Sequence, residues 1–138
     1  MADYLAQLAS VSLFSGATDA ELAQISKVTT EVKLDSGTVL MEQGASAREA
    51  FVIVEGSAEV TVDGTSVATL GPGDCVGEVA LLDKGPRSAT VTATSALTTL
   101  VLDPREFKTL LLTVPAIAVK VAMALASRVR ECDTKLYG

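Results

Sequence analysis

From Glu31 to about Leu102 the apolar positions of this chain recur with period two, in short β-branched segments cut by glycine about every eight to twelve residues. The clearest piece is FVIVEGSAEVTVDGTSVATL, in which Val60 and Val62 alternate with Glu59 and Thr61. Asp63-Gly64 then supplies the positive φ angles of a two-residue hairpin turn before Val67. Gly37, Gly44, Gly56, Gly71 and Gly73 mark further turns, and Pro72 fixes φ within LGPGD. The pattern predicts roughly eight strands, enough for a small barrel or jelly roll. The expected fold is mainly β with flanking helices, an eight-stranded β-roll with N-terminal helices before it and two C-terminal helices after it.

Outside this stretch the period lengthens to that of helices. Leu5, Leu8 and Val11 form one helical pattern, and ATDAELAQISKV, with Leu22, Ile25 and Val28, forms a second. Thr18 and Glu21 stand as a capping box that starts the second helix. The two are expected to lie as an amphipathic lid on a sheet. After Leu102, Asp103-Pro104 reads as a helix start that puts Phe107, Leu110 and Leu111 on one face, and Pro115 breaks or restarts the helix. The final segment is apolar on more than one side until about Ala126, so something must cover it. Ile117, Val121, Leu125, Arg128 and Cys132 approximate a seam that packs on the barrel, on a second copy of the chain, or on both.

Composition narrows the function more than the fold. At 138 residues the chain is expected to form one domain, 1–138. No apolar run reaches the ~18 residues of a membrane span, and the first ten residues carry no basic group ahead of their apolar positions, so a cytoplasmic protein with no membrane partner is expected. Eleven basic and seventeen acidic residues give a formal charge of −6, which repels a phosphate backbone and argues against direct nucleic-acid binding. There is no histidine. That removes the usual base of a Ser or Cys triad and the imidazole ligands of most zinc and non-haem iron sites. Cys75 and Cys132, far apart in sequence, read as small buried residues of a reduced protein.

The stretch that carries chemistry is GEVALLDKGPRSATV, residues 77–91. Gly77 sits where a strand is expected to give way to a short helical segment, and glycine there lets a ligand approach the backbone and unpaired amides. Arg87 begins the expected strand RSATVTAT, whose small residues leave room for a planar, always-charged fork suited to phosphate oxygens. An ordinary salt bridge between Glu78 and Arg87 explains the same two residues equally well. Pair chemistry alone does not separate these readings.

The stretch resembles the phosphate-binding cassette of the cyclic nucleotide-binding domain family. The family pattern of Gly-Glu-apolar-small-Leu, a variable loop, then Arg-small-Ala-Thr-Val is met by Gly77, Glu78, Val79, Ala80 and Leu81, the loop LDKGP, and Arg87, Ser88, Ala89, Thr90 and Val91. Upstream, SGTVLMEQG, FVIVEGSAEV and LGPGD resemble the family's turn glycines in order and spacing. The resemblance implies that Glu78 accepts a hydrogen bond from the ribose 2′-hydroxyl. It also implies that Arg87 pairs with the cyclic phosphate, helped by backbone amides near Val79, Ala80 and Ala89 and by the Ser88 hydroxyl. The implied ligand is cAMP, with cGMP the second choice, and no cofactor, metal or catalytic residue is implied. The helix after the barrel is implied to close over the base through a segment around Arg130 to Leu136, with Cys132 facing the purine. It would signal to an effector protein that the sequence does not identify, or hold a homodimer together.

Two departures stand out. Many members carry an aromatic residue before Gly-Glu where this chain has Cys75 and Val76, and many bacterial relatives continue into a helix-turn-helix domain where this chain stops at Gly138. A transcription-factor role is therefore not expected of this polypeptide alone. A metal-dependent cupin shares the barrel outline and needs histidines that are lacking. The remaining alternative is a degenerate relative that keeps the fold as a protein-interaction module and has lost the ligand.

Overall fold

The computed structural model describes residues 4–46, 49–77 and 86–137. The β region comprises β1 (Thr29–Leu34), β2 (Val39–Met41), β3 (Ala50–Glu55), β4 (Ala58–Val62), β5 (Thr65–Leu70), β6 (Cys75–Val76), β7 (Thr90–Ala93) and β8 (Leu97–Leu102). They form two four-stranded antiparallel sheets, ordered β1-β8-β3-β6 and β2-β7-β4-β5. Apart from the β4–β5 hairpin, each successive strand changes sheet. This is the expected β-roll.

Period two becomes two cores because β3 and β8 are covered on both faces. Ala50, Val52 and Val54 of β3, with Leu100 and Leu102 of β8, face the helices, whereas Ile53 and Leu97 face the second sheet. All six residues of β8 are therefore buried, and its buried Thr99 donates its hydroxyl proton to the Val32 carbonyl at 3.0 Å. The opposite case is β5, an edge strand whose Val67 stays 58% exposed.

The helical layer packs on the first sheet. It consists of α1 (Leu5–Ala9), a 3-10 turn (Ser12–Phe14), α2 (Asp19–Lys27), α3 (Pro104–Thr113) and α4 (Pro115–Tyr137). The first helix is shorter than the Leu5, Leu8, Val11 spacing predicts: it ends at Ala9, and Val11 reaches the core from the connecting turn. Ser10 donates its hydroxyl proton to the Ala6 carbonyl, a local competitor to further helix. The capping box of α2 forms as expected, with Glu21 N–H donating to Thr18 Oγ1 at 3.2 Å and Thr18 N–H to Glu21 Oε1 at 2.8 Å. Asp103 caps α3 by accepting from the Arg105 and Glu106 amides at 2.7 and 3.3 Å.

Phe14 and Phe107 meet at the centre of this layer, ring centroids 5.8 Å apart and tilted by 48°. Lys120 on α4 forms an ion pair with Glu21 on α2. Ile117 and Val121 are buried against the core and Leu125 packs beside them. Of the expected seam, the side chains of Arg128 and Cys132 lie outside the described residues. The other face of α4 stays uncovered within one chain, with Val119 59% and Met123 67% exposed. No single helix among the described residues is long and apolar enough to cross a membrane.

Candidate functional site

Arg87 lies three residues before β7 rather than at the start of a strand. The segment RSA is drawn out of strand geometry by the loop between β2 and β3. Gly44 N–H donates to the Arg87 carbonyl at 2.9 Å, Arg87 N–H donates to the Ala45 carbonyl at 2.8 Å, and Ser46 bridges Pro86. The backbone of Arg87 is thus fixed by a loop about forty residues upstream, and that loop is itself held at two points. Gln43 N–H donates to Thr90 Oγ1 at 3.0 Å. The Gln43 side chain also donates to Asp63 Oδ1 at 3.0 Å and accepts from the Asp63 amide at 2.9 Å. Asp63 and Gly64 carry φ of 51° and 80°, the tight hairpin turn their sequence predicts.

Arg87 is buried, 8% exposed as a whole residue. Its Nη2 donates to the main-chain carbonyl of Glu49 at 2.6 Å, and its Nη1, also buried, has no hydrogen-bond partner among the described residues. Burial pushes the guanidinium below its ordinary pKa, and the charge of the Glu49 carboxylate opposes that shift. Arginine nevertheless stays charged in proteins. A buried cation short of a partner is an unfavourable arrangement unless an acceptor is brought to it.

Gly77 explains how the guanidinium fits. At φ +75° its missing side chain leaves the space in which Nη1 lies, since a Cβ there would stand 2.2 Å from that nitrogen. Glycine is required both by the backbone conformation and by the close approach.

Arg87 forms one wall of an open pocket of about 330 Å³. Leu40, Met41 and Phe51 give it an apolar side, and Glu42, Glu49 and Ser46 a polar one. The pocket thus mixes apolar and charged side chains, as small-ligand sites do.

Of the residues expected from sequence, the structure brings Gly77 and Arg87 into direct contact. Ala89 is buried two positions further on, and Ser88 is exposed. The expected roles of Glu78, Val79 and Ala80 lie outside the described residues, as does the Glu78–Arg87 salt bridge. Glu49, Glu42, Gln43 and Asp63 are the residues around the pocket that sequence reasoning missed. Only the Asp-Gly turn left a local trace.

A two-sheet β-roll that sets a buried guanidinium at the wall of a pocket is an arrangement that suits an anionic ligand. Comparison with known proteins makes the class specific: residues 31–113 match the model of the cyclic nucleotide-binding domain, and the chain belongs to that family. It is 41% identical over 100 residues to a cAMP-dependent protein kinase regulatory subunit of Yarrowia lipolytica, covering 72% of this chain and 27% of that protein. The N-terminal domain of a transcriptional regulator from Streptomyces coelicolor A3(2) superposes with a TM-score of 0.84 at 29% identity, covering 96% of each chain. The catabolite activator protein of Thermus thermophilus gives 0.75 at 28% identity, over 91% of this chain and 61% of that one. The chain spans about a third or less of the curated relatives it matches, from 18% to 31% of their length.

Proposed function

We propose that the chain binds a cyclic nucleotide, cAMP in preference to cGMP, in the pocket beside Arg87, and that α4 reads out occupancy. The observation that carries the reading is the buried Nη1 of Arg87, which lacks a partner among the described residues at the wall of a pocket of suitable size. A cyclic phosphodiester supplies the missing acceptor and a single negative charge, which one guanidinium neutralises. Gly77 admits the guanidinium, Glu78 takes the ribose 2′-hydroxyl, and the amides of Val79, Ala80 and Ala89 with the Ser88 hydroxyl complete the phosphate cradle. The preference for cAMP rests on the resemblance to the kinase regulatory subunit, whose name carries that nucleotide.

Domains of this family are regulatory rather than catalytic, so the event to be explained is a change of shape. The segment around Arg130 to Leu136 of α4 closes over the base, and the exposed Val119 and Met123 face receives an effector protein or a second copy of the chain. Such coupling requires that α4 contact the nucleotide in one state only.

Calorimetric titration with cAMP and cGMP tests the reading. Arg87→Ala is expected to weaken binding by about 2–5 kcal/mol, roughly 30-fold to several thousand-fold, with the fold retained by circular dichroism. Equal affinity in a folded Arg87→Ala protein removes the phosphate site. Amide exchange over residues 128–136 is expected to slow on saturation, and unchanged protection removes the readout.

A further inference from the structure

One residue ties together the end of the second sheet from which Arg87 emerges. Gln43 lies just beyond β2, and its amide donates to Oγ1 of Thr90, the first residue of β7. Its side chain reaches the tip of the β4–β5 hairpin, on the far side of β7 in the strand order. There the carboxamide nitrogen donates to Asp63 Oδ1 at 3.0 Å and the carboxamide oxygen accepts from the Asp63 amide at 2.9 Å. All four strands of the sheet are thereby joined at one end. The next two residues, Gly44 and Ala45, are the ones that clasp the Arg87 backbone through its carbonyl and its amide. Asp63 is the one non-glycine residue at positive φ among the described residues, at 51°. Aspartate enters that conformation more readily than most residues, and here its carboxylate and its amide both face Gln43.

We infer that Gln43 and Asp63 are positioning residues for Arg87: the hairpin tip holds the β2–β3 loop, and the loop sets where the arginine stands. The inference rests on the proposed nucleotide site and adds residues that govern its affinity without touching the ligand. Glu42, Ala45 and Ser46 of that loop line the pocket, whereas Gln43 and Asp63 are not among its described lining residues. Both hydrogen bonds between them lie at the surface, where water replaces a lost partner and global stability changes little. Releasing the loop has a larger local effect. It frees the backbone on which the placement of the guanidinium depends, and a ligand must then order that backbone as it binds. Affinity therefore falls by more than stability does.

The test pairs calorimetric titration with cAMP and residue-by-residue amide exchange by NMR in the absence of nucleotide. Gln43→Met removes both carboxamide bonds at constant charge and is expected to weaken cAMP about 10-fold, the equivalent of one hydrogen bond to a charged group. The Gly44 and Arg87 amides, which close the clasp, are expected to exchange about 10-fold faster, while the Phe107 amide in α3 keeps its rate. Asp63→Asn retains an acceptor and tolerates positive φ, so its affinity is expected within about 2-fold of wild type. Gln43→Glu sets two carboxylates against each other. Adding Asp63→Asn restores the pair with donor and acceptor exchanged, so the double variant should recover both affinity and protection. Wild-type exchange of Gly44 and Arg87 in Gln43→Met overturns the inference, as does wild-type affinity despite faster exchange. A double variant no better than Gln43→Glu overturns it too, and so does a Phe107 amide that speeds up equally, the mark of general destabilisation. If wild-type protein binds neither cAMP nor cGMP, it is the nucleotide site that fails, and the exchange measurements still decide whether the pair holds Arg87.

Discussion

The helical end of the β-roll and the pocket end treat their polar groups in opposite ways. At the helical end Thr18, Glu21, Lys120 and Asp103 are all paired, around a core centred on Phe14 and Phe107. At the pocket end Arg87, 8% exposed, keeps one guanidinium nitrogen without a partner among the described residues, beside a glycine whose φ is +75°. Paired polar groups and large apolar side chains stabilise the fold by themselves. An unpaired buried cation is a local cost, tolerated because the surrounding backbone bonds over-determine its position. The difference teaches that the well-paired core and the pocket proposed for recognition occupy separate ends of one small domain, so stability and binding should be separable by mutation.

The strongest way to break the comparison is Phe107→Ala. Truncating a fully buried aromatic ring is expected to destabilise by about 3–5 kcal/mol, read as a lower urea midpoint. Any loss of nucleotide affinity should disappear when the ligand titration is corrected for the folded fraction. A specific loss of affinity in folded protein would mean that the two ends are coupled through the first sheet.

Next in size is Gly77→Ala at the other end. Its Cβ would stand 2.2 Å from Arg87 Nη1, and alanine at positive φ adds strain of about 1–2 kcal/mol. The guanidinium must move, so affinity is expected to fall at least about 10-fold at that modest stability cost. Wild-type affinity in Gly77→Ala would show that the position of Nη1 is not critical.

The smallest expected effects are at the start of α2. Thr18→Ala removes one side of the capping box and is expected to destabilise by about 1 kcal/mol, without altering nucleotide affinity. The Glu21 carboxyl is held below its ordinary value of 4.5, first by the hydrogen bond from Lys120 and then by the Thr18 amide. Its contribution is therefore complete above pH 4.5 and fades as pH falls through the lower folded value. In Lys120→Met that acid-side loss should shrink, which urea titrations across this range measure directly.

Much of this contrast was legible in the chain, and the illegible part has one cause. Period two, the Asp63-Gly64 turn, the Thr18 capping box and the Asp103-Pro104 start are local signals, set within a few residues, and each appears where expected. Arg87 drew attention because a lone charge sits among small residues. What stayed hidden is everything that positions it. The Glu49 carbonyl is 38 residues away and Gln43 lies 20 residues from Asp63, and no periodicity encodes such pairs. The misplaced start of β7 has the same origin, since the β2–β3 loop claims the backbone of Arg87 before the strand can.

The burial of β8 on every residue has a consequence in time. It is the final strand, yet it lies between β1 and β3, pairing Thr29 with Leu102 at one side and Ala50 with Leu102 at the other. As the chain leaves the ribosome, the first sheet has no middle until residue 102 has emerged. Until then β1 and β3 present unpaired edges that no earlier strand in the chain satisfies, and loop closure over such a separation is slow. Completion of the first sheet thus waits for β8, and the nascent chain depends on that strand to protect the edges of β1 and β3 that face it.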